Sequence, residues 1–469
     1  MSDTSPKIVY RFILLVAAFA SLATAIMSRT PKSLSDFDQL IYLTIAYDVD
    51  RYGVFSNGIF NRSDSTPPTP KPGMFVVPGY PAFVLAAMKL DSRFAKAAAC
   101  IVEANRNHNE PTECERYAAP IHILHAFLLA LAVLAIAQAS AVIFGNAGVF
   151  WTSGVLAIGS LSAEANLFSF VMTESLTVSL YSVFALFAVL AWKTSRIRYF
   201  ALAGIFLGLL CLTRPSFVVL IPVTLVLVVL NSRRYVHQKS TFFWIQALVF
   251  ATACFIVLGP WIVRNHFSVG KWGLTEEYGS AVLIERFAFN DMSAREMMLA
   301  FPYCMPGIGD LAFDQVYGKD SMHRFVYHTR DSFFHVGRGR RDALVKEFGR
   351  LDPLIGGIVI DEMRSDWWRH LLVSIPLGWC GMWAGWLWAL LLVPLFALAC
   401  VRAARKRRPL LLLYAAPAAV MLCFHAVAAN QSTRYNLLLI GPFSVGSAWI
   451  IWESLRNARW RSQSLAPKR

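Results

Sequence analysis

The chain has 469 residues, of which 56% are hydrophobic and 16% are charged, and its formal net charge is +15. A mean hydropathy of +0.49 and several apolar runs of membrane-spanning length exclude an ordinary soluble domain and predict a polytopic membrane protein. No zinc-finger spacing, RNP-like pattern or P-loop occurs in the sequence, so the positive charge indicates membrane topology and contact with anionic lipid, not nucleic-acid binding.

Ten apolar runs follow one another along the chain as candidate transmembrane helices. We place them at 8–27, 118–143, 149–166, 167–192, 199–213, 216–230, 241–263, 369–400, 409–428 and 436–453. Arg214-Pro215 interrupts 199–230, which could be two tight helices or one long broken helix. The expected fold class is therefore an all-α polytopic membrane protein with about ten transmembrane helices and two large extracytoplasmic loops.

Charge predicts the orientation of these helices. Lys and Arg are concentrated in every alternate short connection, whereas 10 of the 29 Asp and Glu residues fall in 28–117 and 15 in 265–368. By the positive-inside rule both termini are cytoplasmic and the two acidic loops lie outside. The predicted divisions are 1–27 (N-terminus and first transmembrane helix), 28–117 (first extracytoplasmic loop with juxtamembrane helices and an acidic motif), 118–264 (transmembrane core), 265–368 (second extracytoplasmic loop) and 369–469 (C-terminal transmembrane helices and basic tail). Composition and short connections favour a bacterial inner-membrane protein.

Both outer loops are predicted to contain short helices. The apolar stretch 75–90 has two prolines and is too short to span, so we expect an interfacial or re-entrant helix there. Segments 340–350 and 354–364 are typical of amphipathic helices that lead to an interfacial pair, Trp367-Trp368. Cys100 and Cys114 share the first loop and could form a disulfide, Cys304 could be free, and the other five cysteines are expected in the apolar core.

An acidic run in the first loop supplies the first candidate site residues. Asp36 and Asp38 come shortly after the first span, and Asp38 shares a helix face with Tyr42 if this segment is helical. Carboxylates beside a membrane suit a general base or a cation ligand. The alternative, which the residues alone favour, is a solvated loop with incidental acids.

Glu174 is the second candidate, because it lies within the predicted span 167–192, about two turns below the outer surface. An ionisable group at that depth usually faces a cavity or a partner; the alternative is a carboxyl hydrogen-bonded to a neighbouring helix. The outer ends of spans carry three arginines, Arg214, Arg264 and Arg434. Their guanidinium groups suit bidentate phosphate binding, with snorkelling to headgroups as the alternative.

A set of short motifs resembles the GT-C glycosyltransferases. They are Asp38-x-x-x-Tyr42, Tyr52-Gly53, Pro78-Gly79-Tyr80-Pro81, Thr173-Glu174-x-Leu176, Leu212-Thr213-Arg214-Pro215, Pro260-Trp261-x-x-Arg264-Asn265 and Arg434-Tyr435. Their order and common sidedness over most of residues 8–450 are similar to the bacterial dolichyl-phosphate-mannose-protein mannosyltransferase-like branch and to the lipid A aminoarabinose transferases. This sequence departs from the family pattern at Pro78-Gly79, where the family has Pro-Pro, and in the spacing of the loop acids.

The resemblance implies transfer of a sugar from a polyprenyl-phosphate-linked donor to an envelope glycan, lipid or protein on the extracytoplasmic face. Under this hypothesis Asp38 is the base, with Asp36 as alternate, and Glu174 orients the acceptor or helps to hold a metal. The predicted substrate-binding residues are Arg264, Arg214, Arg434, Lys71, Tyr42 and Tyr80. A divalent cation (Mg, Mn or Ca) on Asp38 and Glu174 stays open, because hard oxygen ligands suit these ions.

A pair of histidines is a further candidate metal site, and a transporter is the alternative function. His122 and His125, one turn apart at the outer start of a span, could ligate a metal or be core histidines. A lipid-linked-sugar flippase or secondary transporter would also contain buried charges, but two long outer loops and the lack of a repeat argue against it.

Overall fold

The protein is described by a computed structural model over residues 8–29, 34–35, 37–61, 69–107, 111–232, 241–429 and 433–464. Every secondary-structure element within these ranges is helical, in agreement with the all-α prediction. Seven of the described helices are long and apolar enough to cross a membrane, and each of the ten predicted spans overlaps at least one helix. The predicted spans at 149–166, 199–213 and 216–230 correspond to shorter apolar helices.

The first four helices form the predicted N-terminal anchor and a small bundle, called the outer bundle after its predicted side of the membrane: α1 (Ile8–Met27), α2 (Phe37–Tyr52), α3 (Gly79–Leu90) and α4 (Ser92–Arg106). Helices α2, α3 and α4 pack on one another around their own apolar core. A disulfide joins Cys100 to Cys114, as the shared loop suggested. The short helix expected within 75–90 is α3.

The predicted transmembrane core contains α5 (Ala119–Phe144), α6 (Ala147–Ala163), the single turn α7 (Ala165–Phe168), α8 (Glu174–Thr194), α9 (Ile197–Cys211), α10 (Leu220–Ser232) and α11 (Thr241–Val269). Arg214-Pro215 separates α9 from a 3-10 helix (Pro215–Val219) that leads into α10, so the two-helix alternative for 199–230 is correct. Helix α9 packs closely on α11 because Gly204 and Gly208 face its backbone.

The predicted span at 167–192 begins later than expected. Helix α8 starts at Glu174, and residues 169–173 form turns after α7. Two carbonyls of this irregular stretch are satisfied by the histidines of α5: His122 Nε2 lies 2.8 Å from Ser169 O, and His125 Nδ1 lies 2.9 Å from Phe168 O. Both histidines therefore support broken backbone at membrane depth, which fits the core alternative.

The predicted second outer loop contains α12 (Tyr278–Phe287), α13 (Ala294–Tyr303), α14 (Ile308–Leu311), α15 (Phe313–Tyr317) and α16 (Phe333–Phe348). It continues into α17 (Asp352–Met382), which has a non-helical residue at Asp366. Helix α16 covers the first predicted amphipathic segment, and the first half of α17 covers the second. Helices α18 (Leu387–Arg405), α19 (Pro409–Ala428) and α20 (Ile440–Ser464) complete the fold.

Two predictions at the C-terminal part of the second loop are wrong. The expected span 369–400 is broken at 383–386, where Gly385 and Trp386 have φ of 95° and 49° and Glu164 Oε1 accepts a hydrogen bond from Gly385 N–H at 2.9 Å. Cys304 is not free and Cys380 is not a simple core residue, because a disulfide links them. The chain is apolar across the break, so hydropathy alone does not reveal it.

Candidate functional site

Four charged side chains from distant parts of the chain meet at one place. They are Asp38 in the first turn of α2, Glu174 at the start of α8, Arg214 after α9, and Arg434 in a 3-10 helix (Thr433–Leu439). We call them the acid–arginine cluster. Arg434 Nη2 lies 2.8 Å from Asp38 Oδ2, and Arg214 Nη2 lies 2.6 Å from Glu174 Oε1. Arg434 Nε is 3.7 Å from the same Glu174 oxygen, so Glu174 connects both arginines.

Helix starts and helix breaks position the residues of this cluster. Glu174 and Asp38 each occupy the first turn of a helix, where unpaired N–H groups and the helix dipole favour a negative charge. Arg214 precedes Pro215, which disfavours helical backbone at the residue before it. Each charged residue is therefore placed by an irregular segment, and irregular backbone within a membrane is tolerated where it is buried in protein or lines a cavity.

Gly79 attaches the outer bundle to the break that carries Arg214. Its N–H donates a hydrogen bond to Leu212 O at 2.7 Å, and a Cβ at this position would lie 2.5 Å from that oxygen. Proline has no N–H to donate. The Pro78-Gly79 departure from the family motif therefore has a physical basis in this chain, because glycine allows the two backbones to meet.

The two acids of the cluster differ in exposure. The Glu174 side chain is 2% exposed, whereas that of Asp38 is 40% exposed. Glu174 Oε2 is buried and has no hydrogen-bond partner within the described residues. Arg214 Nε also donates to Thr173 Oγ1 at 2.7 Å. Glu174 is thus positioned to hold the arginines, and Asp38 is the carboxylate that a second molecule can reach.

Three tyrosines surround the cluster. The Tyr435 ring lies 5.3 Å from the Arg214 guanidinium and 5.1 Å from that of Arg434, within cation–π range. Burial is the largest cause that raises the pKa of Tyr42 above its usual range, followed by the charges of Tyr278 and Asp38. The pKa of Tyr278 is also raised, first by burial and then by Tyr435. Tyr42 and Tyr278 are therefore neutral hydrogen-bond donors and not bases.

Tyr80 lies behind Tyr42. The two rings meet edge to face with centroids 4.9 Å apart, and the Tyr80 hydroxyl lies 3.1 Å from His125 Nε2. Tyr80 is fully buried. In this arrangement Tyr80 supports Tyr42, and its predicted contact with substrate stays a prediction.

Arg264 makes its described hydrogen bonds away from the acid–arginine cluster. Its Nη1 donates to Gly73 O at 2.5 Å and to Asn265 Oδ1 at 3.0 Å, and its Nη2 donates to Phe55 O at 2.8 Å. These bonds fasten the backbone at Phe55 and the segment 69–73 to the outer end of α11. Phe75, just beyond, packs on the ring of Tyr278 at 5.5 Å. Arg264 therefore connects to the acid–arginine cluster through this segment and Tyr278 and not by a described direct contact.

Lys71 and Asp36 are the remaining predicted site residues. Lys71 is exposed in the segment that Arg264 holds. Asp36 lies outside the described residues. Asp48, farther along α2, is buried, pairs with Arg106 and accepts a hydrogen bond from Ser56 Oγ at 2.6 Å, so it stabilises the outer bundle.

The donor chemistry gives little support for a resident metal ion at the cluster. In the part of the chain that the structure describes, no group of three or more His, Cys, Asp and Glu side chains could hold one. Asp38 and Glu174 each face a guanidinium group, which competes with a cation for the carboxylate oxygens.

Sequence reasoning missed Tyr278 as a neighbour of the cluster. It belongs to no short motif, so neither spacing nor composition marked it. The sequence motifs include Tyr435 only as the residue that follows Arg434.

Comparison with known proteins gives only distant likenesses, and these are to solved structures. No protein family and no curated protein matches the chain. Among solved structures, the crystal structure of ArnT from Cupriavidus metallidurans in the apo state is similar over 98% of this chain and 81% of that protein. The sequence identity is 13% and the TM-score is 0.36, a likeness that says nothing about substrate or chemistry.

Proposed function

We propose that this protein is a membrane glycosyltransferase of the GT-C type. It transfers a sugar from a polyprenyl-phosphate-linked donor to a glycolipid, glycan or protein acceptor. The observation that carries the proposal is the acid–arginine cluster, in which a reachable carboxylate, Asp38, adjoins two guanidinium groups anchored by a buried carboxylate, Glu174. A base beside paired phosphate ligands is what glycosyl transfer from a lipid phosphate requires.

The proposed reaction assigns one role to each side of the cluster. Asp38 takes the proton from an acceptor hydroxyl or amine as that group attacks the anomeric carbon. The bond from this carbon to the phosphate oxygen breaks, and the lipid phosphate leaves with one more negative charge. Arg214 and Arg434 stabilise that developing charge, because guanidinium groups pair with phosphate in a bidentate manner.

The Arg434–Asp38 ion pair supports a sequence of events. While the pair is intact, Arg434 occupies an oxygen of Asp38, 2.8 Å away. A donor phosphate that enters the cluster competes with Asp38 for Arg434. Once Arg434 turns to the phosphate, that oxygen can face the acceptor, so donor binding prepares the enzyme for the acceptor.

Arg264, Lys71 and Tyr42 have supporting roles in the proposal. A guanidinium has five N–H donors, and Arg264 makes three described hydrogen bonds, so it retains capacity for a donor phosphate oxygen. Lys71 adds a cation on the segment that Arg264 fastens. Tyr42 offers a neutral hydroxyl to the sugar or phosphate.

The cysteines support an extracytoplasmic site at a bacterial inner membrane. Both disulfides join outer segments, Cys100 with Cys114 and Cys304 with Cys380. The four free cysteines lie in helices of the membrane core: Cys211, Cys254, Cys400 and Cys423. Disulfides form and persist in oxidising compartments, so this distribution agrees with the orientation derived from charge.

Mass spectrometry of envelope glycolipids and glycans from a deletion strain tests the proposal. We expect one sugar to be missing, restored by the wild-type gene and not by Asp38→Asn expressed at the same level. Purified protein with a polyprenyl-phosphate-sugar and envelope extract should then form the product without an ion gradient. Translocation of the donor between leaflets without product would instead support the flippase or transporter alternative.

A further inference from the structure

The second half of α17 exposes a stripe of large apolar side chains. Its members form two adjacent rows along the helix with a four-residue spacing within each row, and each is between 42% and 60% exposed: Trp367, Trp368, Leu371, Leu372 and Ile375. The opposite face is buried against the protein through His370, Val373, Ser374 and Leu377. One face of this helix therefore has a protein partner and the other does not.

The N-terminal end of this half-helix is tied to the outer side. Arg369 Nε donates to Asn290 O at 2.5 Å, and its Nη2 donates to Met292 O at 3.2 Å, both in the second outer loop. His370 Nε2 lies 3.0 Å from Val427 O, at the outer end of α19.

The C-terminal end is tied to the same side. Trp379 Nε1 donates to Phe301 O of α13 at 2.9 Å, and Cys380 forms a disulfide with Cys304. The turn that follows is capped by Glu164, at the outer end of α6. A helix whose two ends are both bound to outer elements does not cross the membrane.

The length of the second half of α17 also indicates that it does not cross the membrane. Sixteen residues, 367–382, measure about 24 Å at about 1.5 Å per residue, less than the roughly 30 Å of a bilayer core. The crossing begins only with α18, whose exposed Leu387, Leu391 and Leu398 form its lipid-facing side. Trp386, in the turn between the two helices, is exposed as well, so the apolar surface of α17 continues into that side.

We propose that residues 367–382 lie in the plane of the membrane, with the apolar stripe inserted among outer-leaflet lipids. Amphipathic helices in this position bury their apolar face about 5–10 Å into the interface. The occupant of the stripe is lipid, because the stripe is continuous with the lipid-facing side of a spanning helix. The inference does not rest on the proposed sugar transfer.

A nitroxide depth scan of the full-length protein in lipid nanodiscs tests the inference. The four free cysteines are replaced by alanine, both disulfides are kept, and single labelled cysteines are placed from 368 to 376. Collision with lipid-phase oxygen and with an aqueous nickel chelate reports depth. We expect depth to oscillate with the helical period and without drift, with Leu371, Leu372 and Ile375 deepest. The same scan along 388–398 of α18 is the control and should drift by about 1.5 Å per residue.

Three results would overturn the inference. A steady drift along 368–376 means that α17 crosses the membrane. Exposure of the stripe to the nickel chelate means that it faces water. Dipolar broadening between labels, together with loss of oxygen access, means that a second copy of the chain covers the stripe.

Discussion

Removal of the negative charge of Glu174 is the most informative perturbation of the acid–arginine cluster. Glu174→Gln keeps the shape of the side chain and leaves Arg214 without its carboxylate partner at 2.6 Å. Arg434 retains Asp38 at 2.8 Å, so the loss falls mainly on Arg214. The Arg214 and Glu174 side chains are 14% and 2% exposed, so water compensates poorly for the missing partner.

The size of the effect follows from this burial. Breaking a buried ion pair by removing one partner costs about 3–5 kcal/mol. The residual exposure of Arg214 favours the lower end, so we expect the free energy of unfolding to fall by about 3 kcal/mol. Transfer should fall about tenfold or more, since each factor of ten corresponds to about 1.4 kcal/mol of lost phosphate positioning.

A matched control is the exposed pair between Arg93 and Glu115, in the same outer region. Glu115→Gln removes the same type of bond where both side chains are well exposed, and such pairs contribute little. Unfolding in a detergent titration and steady-state transfer are measured for both variants. Equal stability and turnover of Glu174→Gln and wild type would refute the view that Glu174 anchors the arginines.

Four further outcomes are expected. Asp38→Asn should keep the protein folded and lower turnover to below about a tenth of wild type, because the amide cannot accept the proton. Asp50→Asn, on the same helix, is the control and should remain active. An active Asp38→Asn variant would exclude Asp38 as the base. Arg434→Lys keeps the charge but cannot bridge two carboxylates as a fork, so it should weaken donor use by about 1–3 kcal/mol, and unchanged donor KM would contradict this. Arg264→Ala should raise the donor KM more than the acceptor KM, and equal kinetics would show that this arginine only fastens the loop. Denatured protein should bind four maleimides before reduction and eight after it; six before reduction would mean that one disulfide is absent.

The membrane helices could be predicted because apolar runs of fixed length are a direct physical requirement of the bilayer. The same signal failed where the backbone breaks without a change in polarity. Residues 169–172 are Ser-Phe-Val-Met and residues 383–386 are Trp-Ala-Gly-Trp, and both stretches are as apolar as a helix interior. Their breaks depend on carbonyls and N–H groups satisfied by His122, His125 and Glu164, which are distant in sequence.

The candidate site was predictable as a set of residues and not as a set of contacts. Charge near helix ends singled out Asp38, Glu174, Arg214 and Arg434, because charge at membrane depth is costly and needs a reason. Their pairing depends on how helices pack, which no local spacing encodes. For the same reason Arg264, which looks equivalent to Arg214 in the sequence, binds backbone carbonyls instead.

The ion pair between Asp38 and Arg434 joins residues 396 positions apart, which has a consequence for biosynthesis. At about 5–20 residues per second, a ribosome needs roughly 20 to 80 s to travel from one to the other. Throughout that interval the nascent chain contains Asp38, the proposed base, and lacks the arginine that completes its cluster. The growing polypeptide therefore acquires the acid–arginine cluster only when the last helix pair enters the bilayer, and under the proposed function fragments released before residue 434 should be inserted but inert.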